Sequence, residues 1–240
     1  MHAGTGPCYL SRDAGGLVCG VLYDGPNLVF AVRSAEDVDA FAAAPLGGRG
    51  TRMIVGPRLA VERFWAKARG RFNRPSAYRD SQPVYALEPG RVSTARPRTD
   101  LDIRPATLDE LDELALQAAV MAAGEFGAPP PARVDFGFRS RTAQTITAGG
   151  FWRARRAGKL VFQCYVGATS PFTAQIQGVW SPPGARGQGD ASAAFTAICA
   201  TLLQTYPSLS LYVNGFNERA IALYERTGFR RVSEFASVIF

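Results

Sequence analysis

The sequence predicts a mixed α/β fold in two parts: a smaller N-terminal α/β domain over residues 1–90 and a larger mixed-sheet domain over 101–240, joined by a linker over 91–100. Three observations predict it. Segments with the apolar period of strands alternate with segments of helical period through the whole chain of 240 residues. Residues 88–99 lack apolar periodicity and carry Pro89 and Pro97, which reads as a connection. The stretch from Gln177 to Ser192 reads as a strand, a Pro- and Gly-rich turn and the start of a long helix.

In the N-terminal part, Leu17–Tyr23 and Leu28–Arg33 read as two strands around the turn Asp24-Gly-Pro-Asn27. Ser34 with Asp37 marks a helix start, and Val38 and Phe41 give that helix its apolar stripe. Gly47-Gly-Arg-Gly50 precedes a strand, Arg52–Val55, and so reads as a turn. Pro57 opens a helix carrying Leu59, Val61, Phe64 and Trp65, and Pro83–Leu87 reads as a last strand. The order is ββαβαβ.

After the linker, Leu101–Pro105 is a strand. Thr107-Leu-Asp-Glu110 is a capping box, continued by a stripe of Leu108, Leu111, Leu114 and Ala115 that ends near Gly124. Pro129-Pro-Pro131 breaks the chain, and a second helix covers Val134 to Ala148. Phe151–Arg156 and Leu160–Val166 form a hairpin around Ala157-Gly-Lys159. Ala174–Ser181 is the next strand, with Gly178 marking a bulge. The following helix has Ala191, Ala194, Phe195, Ile198, Cys199, Leu202 and Leu203 on one face. Leu209–Val213 is a strand, Asn217 caps a further helix with Gly228 past its end, and Arg230–Phe240 closes as a strand.

The turn from Arg186 to Ala191 carries the pattern Arg-x-x-Gly-x-Ala. Small residues there let backbone N–H groups approach a ligand, and the helix start behind them favours negative charge. A diphosphate is the natural guest. The broader pattern Arg/Gln-x-x-Gly-x-Gly/Ala arises by chance roughly 0.2 times in such a chain, so the flanking strand and helix decide its weight.

Composition narrows the function classes. No run approaches the ~18 apolar residues of a membrane span, and the N-terminus lacks a basic start followed by an apolar run, so a cytoplasmic protein is expected. The four cysteines (Cys8, Cys19, Cys164, Cys199) show no Cys-x-x-Cys spacing, which argues against a metal clip or a disulfide framework. The single histidine, His2, lies in a fraying terminus, so a Ser-His-Asp triad, a Cys-His pair and a His-ligated zinc are disfavoured. The net charge of +7 raises nucleic-acid binding, but the basic residues are spread out, with only short knots such as Arg153, Arg155 and Arg156, as on a solvated basic surface.

Three pieces in order carry a family resemblance: Ile103-Arg-Pro-Ala-Thr107, Arg186-Gly-Gln-Gly-Asp-Ala191, and Val213-Asn-Gly-Phe-Asn217 followed by Ala220, Leu223, Tyr224, Gly228 and Phe229. Residues 101–240 resemble the GNAT superfamily of acyl-CoA-dependent N-acyltransferases, and the last sixty residues are similar to its glycine N-acyltransferase-like members. The whole chain resembles a bacterial two-part subfamily, through Ile54-Val-Gly-Pro-Arg58 and Gln82-Pro83, in which an uncharacterised α/β region precedes a GNAT domain. That region reads as a possible degenerate GNAT half.

The resemblance implies direct transfer of an acetyl group from acetyl-CoA to an amine, without a metal. The backbone of Arg186, Gly187, Gln188, Gly189, Asp190 and Ala191 would hold the diphosphate. Val179, Trp180 and Ser181 would pair with the pantetheine arm, and a backbone N–H there would hold the developing oxyanion. Tyr224 would serve as general acid toward the leaving thiolate, with packing beside Leu223 as its bland alternative. Asn217 is a further cofactor contact or only a helix cap. For the general base, Gln175 and Gln177 stand where some relatives have an acid, so Glu125 is the first candidate and Asp135 the second; both are alternatively solvated carboxylates. Asp190 departs from the apolar residue common at its position and, if buried, needs partners. Gln163 and Tyr165 fall where the subfamily likeness suggests charge, which points to a different acceptor. The alternatives to an acetyltransferase are a non-catalytic acyl-CoA-binding module and an RNA- or tRNA-linked transferase. The N-terminal domain is left with three roles: closing the acceptor pocket, forming a homodimer, or stabilising the fold.

Overall fold

A computed structural model describes residues 6–46, 50–93, 98–125 and 127–240. His2, most of the Gly47–Gly50 turn and residues 94–97 of the expected linker lie outside them. In chain order the elements are β1 (Cys8–Arg12), β2 (Val18–Asp24), β3 (Asn27–Val32), α1 (Ala35–Ala43), β4 (Met53–Pro57), α2 (Arg58–Ala68), β5 (Ala77–Leu87) and β6 (Leu101–Pro105). There follow α3 (Leu111–Glu125), α4 (Phe136–Thr147), β7 (Phe151–Arg156), β8 (Lys159–Thr169), β9 (Ala174–Trp180), α5 (Asp190–Leu202), β10 (Leu209–Tyr212), α6 (Glu218–Thr227) and β11 (Arg230–Ile239). By contacts the chain divides into two units. The first gathers residues up to Val84 with Tyr212–Glu218 and Arg231–Phe240, and the second gathers Tyr85–Leu211 with Arg219–Arg230.

The first unit is a mixed sheet covered by α1 and α2. β1 and β2 pair antiparallel, as do β2 and β3, whereas β3 and β4 run parallel across α1. β11 then pairs antiparallel with β4, from Phe235 opposite Pro57 to Ile239 opposite Met53. Residues 231–240, read in the sequence as the closing strand of the 101–240 domain, therefore share the first unit's core. Ala236 and Val238 are buried with Leu22, Leu28, Phe30, Ile54, Val61 and Phe64. Each large apolar side chain removed from water this way contributes about 2 kcal/mol. β1, which sequence reading placed in no element, pairs with β2, packs Tyr9 against the core and donates from the Ser11 hydroxyl to Asp37. β5 begins six residues before the expected Pro83.

In the second unit the strand order is β10-β9-β8-β7-β6. α5 is buried along the predicted stripe, with Ala194, Phe195, Ile198, Cys199 and Leu202 all inside. The Thr107–Glu110 capping box forms as read, on a short 3₁₀ turn that leads into α3. α4 starts two residues later than expected, with Asp135 as its N-cap. All four cysteines are free thiols; Cys164 and Cys199 are buried.

One pattern occurs twice along the chain. The order strand-strand-strand-helix-strand-helix-strand runs from β1 to β5 and again from β7 to β11. In both, the first two pairings are antiparallel and the third is parallel across a helix. The two crossover helices start differently. α1 follows β3 after only Arg33 and Ser34, and the Asp37 carboxylate accepts from the Arg33 and Ser34 amides and from the Ser11 hydroxyl. α5 follows β9 through a long glycine-containing turn.

The Arg153–Arg156 knot is not the solvated surface that spacing alone suggested. Arg153 is 1% exposed and donates from Nε to Glu110 at 2.9 Å and from Nη1 to the Asp102 carbonyl at 2.7 Å. Arg155 donates to the same Glu110 oxygen at 3.0 Å and to Glu113 at 2.6 Å, while Arg104 lies 3.2 Å from Glu110. Strand alternation put Arg153 on the inward face, and burial of its charge is tolerated because carboxylates meet it there. Burial opposes ionisation of Glu110, but the Thr107 amide and the Arg155, Arg153 and Arg104 guanidiniums outweigh it and hold its pKa below the ordinary value. Because the folded value is the lower one, this contribution is full above the unfolded carboxyl's range and is lost as pH falls through the folded pKa. Thermal melts from pH 6 to pH 3 should therefore show a steep loss of stability that Glu110→Gln flattens. A variant with the same pH slope as the parent would show that this network does not set acid stability.

Candidate active site

The second unit brings together the turn before α5, one edge of β9, and Tyr224. β9 and β10 pair in parallel only at Ala174–Leu209 and Gln175–Ser210. Beyond Gln175 the β10-facing edge of β9 has no strand partner among the described residues, while its other edge stays paired to β8 as far as Trp180 opposite Gln163. The register slips between Gln163–Trp180 and Tyr165–Gln177, which places an extra residue at Gly178 and Val179 and confirms the bulge. Gly178 takes φ +64°, and a Cβ there would lie 2.2 Å from Tyr165 Cε1. Val179, Trp180 and Ser181 thus sit at the end of a strand that separates from its neighbour.

The turn itself is held by side chains. Arg186 donates from Nε to the Ser181 carbonyl at 3.0 Å, and its guanidinium carbon lies 4.5 Å from the centre of the Trp180 ring. Trp180 in turn donates to Gln117 on α3 at 3.4 Å. Arg186 therefore spans the base of the turn. Gly187 and Gly189 adopt φ of +78° and +80°, and Gly189 is the N-cap of α5 with no side chain accepting from the helix amides. Among the described residues no group accepts from the amides of 187–192. A row of unbonded N–H groups at a helix start suits an anion.

Asp190 explains why its departure from an apolar residue is tolerated. Its side chain is fully buried, and Oδ1 pairs with Arg98 at 2.9 Å and with Arg156 at 3.1 Å. Arg98 also donates to the Gln188 carbonyl at 3.1 Å, and Arg156 donates to the Gln188 side chain. The two arginines, unremarkable in the sequence, brace the turn from within the same unit. Asp190→Ala should lower stability by about 1–2 kcal/mol, below the ~3–5 kcal/mol of a fully buried pair because both guanidiniums are about a third exposed. Acetyl-CoA affinity should fall with it. Denaturant unfolding beside calorimetry reads both, and a variant unchanged in both would remove the brace from the argument.

Tyr224 lies on α6 in an aromatic cluster, with ring centres 5.7 Å from Phe195, 6.1 Å from Phe229 and 6.2 Å from Tyr85. Burial pushes its hydroxyl well above the usual phenol range, and the Cys164 thiol and the Glu125 carboxylate add to this. The hydroxyl stays protonated at neutral pH, as a proton donor must. Glu125, exposed at the end of α3, is thereby within electrostatic reach of Tyr224. Asp135 is engaged otherwise: it accepts from the Phe138 amide at 2.8 Å as the cap of α4. Asn217 belongs to the first unit and is exposed. Its neighbour Asn214 is also in the first unit, where Arg79 and Gln82 each donate to its Oδ1 at 3.1 Å. Burial pushes the Cys164 and Cys199 thiols well above their ordinary range, so neither is a nucleophile. Two polar groups near the bulge, both singled out in the sequence, have unpartnered atoms. Gln163 is fully buried with neither carboxamide atom hydrogen-bonded among the described residues, and Ser181 Oγ is likewise unpartnered.

A splayed parallel pair, a bulge beside it and an uncapped helix start behind a glycine turn point to one known architecture. This is a GNAT fold. Residues 127–229 match the acetyltransferase (GNAT) family, and residues 8–114 match a domain of unknown function (DUF4081). A GNAT-family acetyltransferase from Colwellia psychrerythraea is similar in structure, with TM-score 0.61 and 13% identity over 98% of this chain and 85% of that one. A GCN5-related N-acetyltransferase from Kribbella flavida gives TM-score 0.60 and 15% identity, over 98% and 89%. A tandem GNAT protein from the clavulanic acid biosynthesis pathway gives TM-score 0.53 and 14% identity, over 97% and 82%. No match is found among curated proteins. At these identities the likeness shows the fold. Residues 127–229 are thus similar to the acetyltransferase (GNAT) family and follow a region similar to DUF4081. Among the described residues no helix is long and apolar enough to cross a membrane.

Proposed function

We propose that this protein is an N-acetyltransferase that moves an acetyl group directly from acetyl-CoA to a primary amine, with residues 101–240 carrying the chemistry. The observation that carries the reading is the row of unbonded amides from Gly187 to Ser192, ahead of α5 and beside the free edge of β9. In this reading those amides hold the diphosphate, with Gln188, Asp190 and Ala191 contributing backbone and Arg186 stiffening the approach. The free edge at Val179, Trp180 and Ser181 receives the pantetheine arm and supplies the N–H that holds the developing oxyanion, an effect worth about 3 kcal/mol per donor. The thioester supplies the activated acyl group. Tyr224 gives its proton to the departing sulfur, and Glu125 takes the proton of the incoming amine, directly or through water.

The first unit supports the reading of a degenerate GNAT half. It repeats the strand and helix order, but its crossover helix begins on Asp37, whose carboxylate already occupies the local amides. An anion there would meet a charge of its own sign. One acetyl-CoA per chain is therefore expected in a calorimetric titration. No heat at millimolar acetyl-CoA would end the acyltransferase reading, and two equivalents per chain would end the degenerate-half reading.

One observation favours a second reading, a non-catalytic acyl-CoA-binding module: the cavity under the bulge, described next, has no carboxylate in its lining. Release of free CoA with any amine decides against it. The RNA-linked reading rests on the net charge of +7 alone, since the Arg153, Arg155 and Arg156 knot is engaged in ion pairs.

A further inference from the structure

A cavity of about 260 Å³ opens in the second unit between α4 and the bulged pair β8–β9. Its inner wall is Tyr165 and Gln177, the residues on either side of the register slip. Tyr165 stacks on Phe151 at 5.6 Å between ring centres and lies against Gly178. Its outer wall is one face of α4, with Phe138, Arg141 and Thr145 at i, i+3 and i+7. The cavity therefore reaches the residues beside the bulge, next to the strand edge proposed to hold the thioester, and has the exposed Arg141 in its lining.

The charges of this lining are one-sided. Arg141 is its cation, and no aspartate or glutamate lines it. Arg141 is exposed and, among the described residues, pairs with no carboxylate; its guanidinium carbon stands 5.6 Å from the Phe138 ring centre. The remaining polar groups are neutral: the Thr142 and Thr145 hydroxyls donate back to α4 carbonyls, and Gln177 donates to Gln175 at 2.7 Å. A polyamine or a lysine-rich peptide would leave its extra charges unpaired here and would face the guanidinium's repulsion. A carboxylate would find a planar donor fork free to take it in two hydrogen bonds. The cavity has room for a small molecule rather than a single water, flanked by the Phe138, Phe151 and Tyr165 rings.

We infer that the acceptor is a small amine that also bears a carboxylate, an amino acid or a close analogue. Arg141 holds the carboxylate at the cavity mouth while the amine reaches Gly178. Arg141 is thus a specificity-determining residue for the transfer. This rests on the acetyltransferase reading and can fail separately from it. The test measures CoA release with acetyl-CoA against the twenty amino acids, their amides and spermidine. Calorimetric binding of the same compounds to CoA-saturated protein gives a readout that needs no turnover. The best amino acid should exceed its own amide at least tenfold in kcat/KM and in affinity. Arg141→Gln should raise KM for the acid at least tenfold, leave the amide within about twofold, and leave acetyl-CoA affinity unchanged. Spermidine or an amide outperforming every amino acid overturns the inference, as does an acid-to-amide ratio that Arg141→Gln does not move, or no binding by any amino acid. Failure of acetyl-CoA itself to bind strikes the parent reading instead.

Discussion

Gly187→Val weakens acetyl-CoA binding at least tenfold and lowers the melting temperature by only a few degrees. Gly187 sits at φ +78°, where a β-branched residue is strained by about 1–2 kcal/mol. An added Cβ there meets nothing within 4 Å, so the protein's own packing does not oppose the side chain. The strain instead falls on the turn, which should shift the amides of 187–189 from the positions the diphosphate is proposed to use. A loss of 1.4 kcal/mol is a factor of ten in affinity, so even the lower part of that strain is measurable. Gly184→Ala, three residues earlier, is the control: its Cβ also meets open space and its φ is ordinary, so its binding should be that of the parent. Calorimetry on the three proteins reads the contrast. Equal affinities for Gly187→Val and Gly184→Ala would mean that the diphosphate does not lie on this turn.

Tyr224→Phe should lower kcat about a hundredfold, at the low end of what a positioned general acid contributes. KM for acetyl-CoA and thermal stability should barely change. Phenylalanine keeps the ring contacts with Phe195, Phe229 and Tyr85, and among the described residues the lost hydroxyl has no hydrogen-bond partner to orphan. The packing role and the proton role are thereby separated by a single oxygen. Burial holds the hydroxyl's pKa well above neutral, so the parent's kcat should not fall from Tyr224 ionisation across pH 6–9. Steady-state rates across that range check both statements. A variant with the parent's kcat would reduce Tyr224 to a core residue.

Much of the fold was legible because its signals are local. Ser34 with Asp37 and Thr107 with Glu110 both form the capping boxes their spacing announces, since a cap is satisfied within three residues. The stripe from Ala194 to Leu202 buries as read, because a helix presents one face wherever it packs. Gly178 marks a bulge in a strand for a comparably local reason. β1 escaped because Cys8–Arg12 alternates weakly and is held by partners distant in sequence: β2, Asp37 and the core beside Tyr9.

The candidate site divides the same way. The glycine turn and Tyr224 were readable as motif and position, whereas Arg98, Arg156 and Arg141 were three arginines among many. Nothing in the neighbours of Arg98 or Arg156 announces Asp190, which lies 92 and 34 positions away in the chain and meets them only when α5 settles on β6 and β7.

By itself, then, the order of residues determined the succession of most helices and strands and the place of the glycine turn before α5, because hydrogen-bond caps and apolar periods act over a few residues. Only the tertiary structure decided that β11 pairs with β4, that Arg153 is an interior cation, and that one cavity holds an arginine without an acid. Strand partners and ion pairs are chosen by whichever groups burial brings together from distant parts of the chain, and no local spacing encodes that choice.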